Sequence, residues 1–161
     1  MGTLNVGGGT LSFDSSGNWT SAPPGSIVNI QTNIVLTTTS TTSTSFVSSA
    51  IQVTITPKFA SSKILIAWTS WVQTAASNNH VSWSLHRNGS NLETTGAFFG
   101  MGNYYVGAGG LEAHSVGNFI DFPNSTSTLT YNVYIKSFNG NQVAIGNPDR
   151  VSYINAFEIS Q

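Results

Sequence analysis

The chain has no cysteine. That excludes a disulfide framework and any thiolate metal site, and it leaves the redox compartment open. Charge is scarce too, at 7% of residues against roughly 25% in ordinary globular proteins. With a net charge of −1, there is no electrostatic footprint for nucleic acid or for an anionic membrane surface. No apolar run approaches the roughly 18 residues of a membrane span. The opening MGTLNVGGGTLSF lacks a basic n-region and a long apolar h-region, so no signal peptide is expected. Met1-Gly2 would suit myristoylation only with Ser or Thr at position six, where Val6 stands. Sequons at Asn18, Asn88 and Asn124 are what chance yields in a chain this rich in Asn, Ser and Thr. Helical periodicity is also missing: no apolar i, i+3, i+4, i+7 pattern survives ten residues without Gly, Pro or a β-branched run.

Ser, Thr, Asn and Gly occupy the places that Lys and Glu usually take. A β protein with so little charge is weakly protected against edge pairing and self-association. Coverage of its surface in an assembly resolves that exposure. A length of 161 residues fits one domain with a tail.

Two regions follow from the chain in order. Residues 1–25 read as an N-terminal arm and linker, broken by Gly7-Gly8-Gly9 and closed by Pro23-Pro24-Gly25. Leu4, Val6, Leu11, Phe13 and Trp19 are its apolar anchors, without a local pattern that would bury them. Such an arm docks on its own domain, on a capsid or on another neighbour.

Residues 26–161 read as a β-sandwich. The best-patterned stretch is Phe46–Trp71. Ile51, Val53 and Ile55 alternate with Gln52, Thr54 and Thr56, which predicts one buried and one wet face. Pro57 stops that strand. Lys63–Trp71 is apolar at nearly every position, as in a strand covered on both sides. The two runs read as a hairpin-like pair.

His80–Asn88 alternates, with Val81, Trp83 and Leu85 inward and His80, Ser82, Ser84 and His86 outward. Asn88-Gly89 signals a tight hairpin, with Leu92–Phe99 as the partner strand. Leu129, Tyr131, Val133 and Ile135 share one face, and Asn139-Gly140 reads as a second hairpin turn. Eight to ten short strands between turn signals predict an all-β, two-sheet antiparallel jelly-roll sandwich, with the arm extended from it.

Chemistry is hard to place. His80 and His86 lie six residues apart on one strand, roughly 20 Å and too far for one ion. There is no G-x-S-x-G elbow. The six acids Asp14, Glu93, Glu112, Asp121, Asp149 and Glu158 offer no obvious catalytic pair. The G-x-G pairs do not extend to G-x-G-x-x-G and precede no helix. The expectation is therefore no enzyme, no metal and no cofactor. The aromatics remain. Tyr104 and Tyr105, in a glycine-rich stretch, are surface-contact candidates. Trp68 and Trp71 differ by three and point to opposite faces, so one is expected in the core and the other at a subunit boundary, together with Phe157.

STSFVSSAIQVTITPKFASSKILIAW resembles a segment that recurs in structural proteins of tailed bacteriophages and prophages. The turn Leu85-His86-Arg87-Asn88-Gly89, the segment FIDFPNSTSTLTYNVYIKS and the closing AFEI fit the same type. The resemblance covers about residues 24–160 and leaves the arm outside it. It implies a tumour necrosis factor-like jelly roll that forms a homotrimer, with one sheet of each subunit facing the threefold axis. The implied location is the virion, either the outer surface of the capsid or the tail. The implied role is a decoration or cement protein contacting the major capsid protein or other virion proteins, with the arm reaching over coat subunits. A tail-fibre or spike tip that meets a host-surface receptor, glycans included, is the second reading. A carbohydrate-binding lectin is the third. None of the three calls for nucleic acid or membrane insertion.

Overall fold

The computed structural model describes residues 2–6, 9–76, 79–93, 101–104 and 111–161. All regular structure among them is β. The arm holds β1 (Gly2–Val6), β2 (Gly9–Phe13) and β3 (Trp19–Ser21). These form a separate three-stranded antiparallel sheet in the order β1-β2-β3. The arm is thus a folded meander, not the extended segment expected from its glycines. Its β2–β3 turn is closed by the Asp14 carboxylate, which accepts from the Ser16 and Asn18 backbone N–H groups.

Eight long strands make the sandwich: β4 (Ile27–Val35), β6 (Val47–Ile55), β7 (Lys63–Thr74), β8 (His80–Arg87), β10 (Met101–Tyr104), β11 (Leu111–Asp121), β12 (Leu129–Ser137) and β14 (Ser152–Ile159). Short strands β5 (Thr39–Thr41), β9 (Ser90–Asn91) and β13 (Val143–Ile145) extend their edges and ends. The pairing is nested: β4 with β14, β6 with β12, β7 with β11, β8 with β10. Further ladders join β14 to β7 and β12 to β8. A long hairpin folded over in this way is a jelly roll. One sheet runs β10-β8-β12-β6. The other runs β4-β14-β7, with β11 on the far side of β7.

The expected alternation on β6 is present. Ile51, Val53 and Ile55 are buried while Gln52, Thr54 and Thr56 are exposed. The Asn88-Gly89 turn has positive φ at both residues, 50° and 83°, which is what a type I′ turn requires. Its partner strand is only β9, Ser90–Asn91, and most of the expected Leu92–Phe99 strand lies outside the described residues. Two other turns differ from expectation. β6 and β7 are no hairpin pair, because they belong to different sheets. Asn139-Gly140 likewise carries the chain from β12 in one sheet to β13 in the other.

A buried acid explains the first of these crossings. Glu158 on β14 is fully buried. Its Oε1 accepts from the backbone N–H of Lys58 and Phe59 at 2.8 and 3.0 Å and from Ser62 Oγ at 2.9 Å. Those donors belong to the loop after Pro57, so the loop is held against the last strand and away from a tight turn. A second clasp crosses the sandwich. Asp121 on β11 accepts from Arg87 Nη1 on β8, with both oxygens within 3.0 Å, and from the Tyr131 hydroxyl on β12 at 2.7 Å. Burial, and then the Asp121 hydrogen bond, push the Tyr131 phenol well above its ordinary pKa.

The core lies between the two sheets. Its largest fully buried side chain is Trp68, whose ring lies over Gly117 on β11. A Cβ added at Gly117 would sit 2.0 Å from Trp68 Cζ2. One open side of the sandwich is stitched by side chains of β4. Asn29 Nδ2 and Asn33 Nδ2 donate to the carbonyls of Thr56 and Gln52.

Candidate interaction surface

Strand parity decides which residues of the β4-β14-β7-β11 sheet face away from the core. On β7 the inward set is Ile64, Ile66, Trp68, Ser70 and Val72, which is buried. The outward set is therefore Leu65, Ala67, Thr69 and Trp71. The ladders place their neighbours in transverse rows. One row is Ile30, Phe157, Leu65 and Ile120. The next is Thr32, Asn155, Ala67 and Asn118. The third is Ile34, Tyr153, Thr69 and Val116.

These three rows of four positions contain no charged residue. Two rows are largely apolar, and the middle one is tied by Thr32 Oγ1 donating to Asn155 Oδ1 at 2.8 Å. On the two outer strands, β4 and β11, the apolar side chains are not covered by the chain itself. Val116 is 67% exposed, Ile34 63%, Ile30 52% and Ile120 50%. Scattered exposed apolar residues are ordinary, but a contiguous field of this kind is a candidate interaction surface. Charge flanks the field on both sides, although the exposed Ile27 continues it past the first row on β4. Lys63 lies beyond the first row, and a Glu112–Arg150 ion pair of 3.2 Å lies beyond the third. On the other sheet the outward positions of β6 are polar, with Gln52 and Thr54 exposed.

The expected interface residues divide. Trp68 is in the core. Trp71 is on the outward face, as its three-residue offset requires, but is only 4% exposed, and the Arg150 guanidinium lies 5.9 Å from its ring centroid. Phe157 is half-buried within the uncharged field. The sequence reading missed Ile30, Ile34, Tyr153, Val116 and Ile120. The outward parity of β4, β11 and β14 was legible, but no sequence signal said which face lacked a cover.

In the arm, Leu4 pairs with Leu11, and Phe13 pairs with Trp19. The Phe13 and Trp19 ring centroids are 4.8 Å apart. Leu4 is 57% exposed, while Leu11, Phe13 and Trp19 are half-buried. Val6 is opposite Gly9, and its side chain lies outside the described residues. So does that of Tyr104, which is opposite His80 on β10, and so does the whole of Tyr105.

The histidines of β8 were expected to face water. Both are 7% exposed. His86 stacks on Tyr134 at 3.7 Å, and His80 is 4.2 Å from the Phe138 ring. His86 Nδ1 is 3.0 Å from the Gly89 carbonyl, which can only accept, so Nδ1 carries the proton. In the neutral ring Nε2 then accepts from Ser84 Oγ at 2.8 Å. This has the form of a nucleophile and its base, yet Ser84 is fully buried. Two surface clefts among the described residues lie elsewhere, and neither is lined by a titratable side chain. Among the described residues, no group of three His, Asp or Glu side chains could hold a metal.

Burial lowers the pKa of His86 against a smaller opposing effect of the Gly89 hydrogen bond. Burial and then Lys136 lower that of His80. The unfolded chain therefore binds protons that the folded chain refuses. The stabilisation is complete above the ordinary imidazole pKa of about 6.5 and is lost progressively as pH falls below it. Denaturant titrations at pH 7.5, 6.5 and 5.5 are expected to show a declining unfolding free energy, with a shallower decline in His80→Asn. A flat profile between 6.5 and 5.5 would contradict this.

No family model matches the chain, and no curated protein matches it. Among solved structures, dimeric latent PorU from Porphyromonas gingivalis is similar over 93% of this chain and 14% of its own, at 11% identity and a TM-score of 0.41. That likeness carries no functional assignment.

Proposed function

We propose that the protein is a non-enzymatic structural component of a tailed-phage virion, a homotrimer that decorates the capsid and stabilises the coat lattice. The observation that carries the oligomer is the uncharged field of three rows on the β4-β14-β7-β11 sheet. Ile30, Ile34, Val116 and Ile120 there are half exposed or more. The threefold symmetry and the virion location rest on the resemblance of STSFVSSAIQVTITPKFASSKILIAW and the three later segments to phage structural proteins. Two pairs of those segments meet in space. Glu158 of AFEI holds the loop of TPKFASS, and Asp121 of FIDF holds Arg87 of the Leu-x-Arg-x-Gly turn. The resembling segments are thus parts of one mechanical frame.

Sedimentation equilibrium is expected to give three chains per particle. Ile34→Asp combined with Val116→Asp is expected to leave a folded monomer, because each trimer would then bury six carboxylates in an apolar contact. A monomeric wild type, or a double variant that remains trimeric, overturns the assignment of this face. Gold-labelled protein is expected to decorate the capsid shell in electron micrographs of the virion; label confined to the tail overturns the decoration role.

A further inference from the structure

The chain contains two Asn-Gly pairs, Asn88-Gly89 and Asn139-Gly140, and the fold holds them differently. An asparagine followed by glycine carries a latent reaction. The glycine nitrogen can attack the side-chain carbonyl carbon of the asparagine, because no Cβ on the glycine stands in the way. Both asparagines are exposed, so water reaches each. What separates them is the direction in which the carboxamide is drawn.

Asn88 is clamped to another strand. Its N–H donates to the Thr130 carbonyl at 2.9 Å, and its Oδ1 accepts from the Thr130 N–H at 2.8 Å. The carboxamide is thus drawn across to the start of β12, away from its own following peptide. The turn beyond it is fixed as well, since the Gly89 carbonyl accepts from His86 Nδ1 at 3.0 Å. Reaching the Gly89 nitrogen costs Asn88 its Thr130 bond.

Asn139 is drawn the other way. Its Oδ1 accepts from the Asn141 N–H, two residues on, at 3.3 Å. This is an Asx turn, and it folds the carboxamide forward over the Gly140 peptide that would attack it. Holding two reacting groups together replaces much of the entropic cost of bringing them into contact. The Asn141 N–H also points at the oxygen that gains negative charge when the nitrogen adds, which is where a donor lowers a barrier. Gly140 has a φ of 85°, and its N–H donates to Ser137 Oγ at 3.0 Å. That bond lies in the peptide plane, so the face from which the nitrogen attacks stays open.

We propose that Asn139 is a self-modification site, where the folded chain converts asparagine to aspartate and isoaspartate without an enzyme. The Gly140 nitrogen forms a bond to Asn139 Cγ. The bond from Cγ to the side-chain nitrogen breaks, and that nitrogen leaves as ammonia with the proton that Gly140 gives up. Water then opens the five-membered imide. Opening at Cγ gives aspartate. Opening at the backbone carbonyl gives isoaspartate, with the main chain longer by one methylene. Either product carries a new carboxylate, and one added negative charge takes the formal net charge from −1 to −2. It arrives in a stretch, residues 137–148, that has no charged side chain. That stretch contains β13, which lies against Thr74 at the end of β7 opposite to Lys63. The reaction marks the age of a molecule by charge at one end of the sandwich.

The test follows both pairs in the full-length protein. After incubation at mildly alkaline pH, the chain is digested at acid pH to keep further conversion out. The two Asn-Gly peptides are then measured by mass spectrometry for exchange of the amide nitrogen for oxygen. In the folded protein Asn139 is expected to convert about tenfold faster than Asn88, the ratio that one hydrogen bond's share of a barrier gives. In urea both side chains lose their partners, and the two rates are expected to converge. No conversion at Asn139 in the folded protein, or a rate equal to or below that of Asn88, overturns the assignment. So does a tenfold preference that persists in urea, because the flanking sequence and not the fold would then set it.

Discussion

Gly117→Val is expected to cost the fold about 3 kcal/mol or more, at the upper end of what overpacking a core does. The ring of Trp68 already occupies the space: Cζ2, Cη2 and Cε2 lie 2.0, 2.3 and 2.5 Å from where a Cβ would stand. Trp68 cannot move aside cheaply. It is 2% exposed and packed within the central cluster, and interiors of native density have no adjacent void to receive an indole. Against a total stability of about 5–15 kcal/mol, such a loss would shift a urea midpoint plainly. Unfolding has to be compared at one protein concentration, since the proposed assembly would add to apparent stability. Trp68→Leu in the same chain is expected to recover part of the loss, giving a coupling of about 1–3 kcal/mol in a double-mutant cycle. Additive single effects would show that the two residues do not compete for one space.

Asp121→Ala is the second large effect, expected at about 3 kcal/mol. The carboxylate serves two donors from two strands of the opposite sheet. Its removal leaves the Tyr131 hydroxyl, in a fully buried residue, without an acceptor, and a buried donor stranded in this way costs about 1–3 kcal/mol. It also leaves Arg87 unpaired. That side chain is 30% exposed, so water compensates in part, and the total stays below the upper range for buried pairs. Tyr131→Phe is the informative contrast, because it leaves the Arg87–Asp121 pair intact and is expected to cost only about 1 kcal/mol. If the two variants lose the same stability in denaturant titrations, the clasp is not what holds the sheets at this end.

The sandwich was legible because period two survives wherever one face is buried and the other wet. Ile51, Val53 and Ile55 on β6 and Leu129, Tyr131, Val133 and Ile135 on β12 have the burial that their alternation dictates. Asn88-Gly89 was legible because few residues tolerate positive φ. The β6–β7 crossing was not, since Pro57 ends a strand equally well before a hairpin or an arch. What decides is Glu158, almost a hundred positions later in the chain. The uncharged field on the β4-β14-β7-β11 sheet was hidden for a related reason. A strand such as β7, apolar on both sides, reads the same whether its second face is covered by its own chain or left for another. The β8 histidines misled in the opposite direction. Imidazole suggests water, but Tyr134, Ser84 and the Gly89 carbonyl supply an environment that accepts the ring.

The nested pairing also bears on synthesis. β4 is made early and finds its neighbour only in β14, and the Lys58–Ser62 loop finds its carboxylate only in Glu158. Until residue 159 has been translated, β4 has no ladder partner and β7 lacks β14 beside it. Contacts this distant in sequence make folding slow, on the order of milliseconds to seconds for all-β sandwiches. During that interval open edges and uncovered apolar strands from several growing chains are available to one another. The scarcity of charge that suits the finished surface gives those chains little mutual repulsion, so the interval between translation and closure is when the protein is most vulnerable to aggregation.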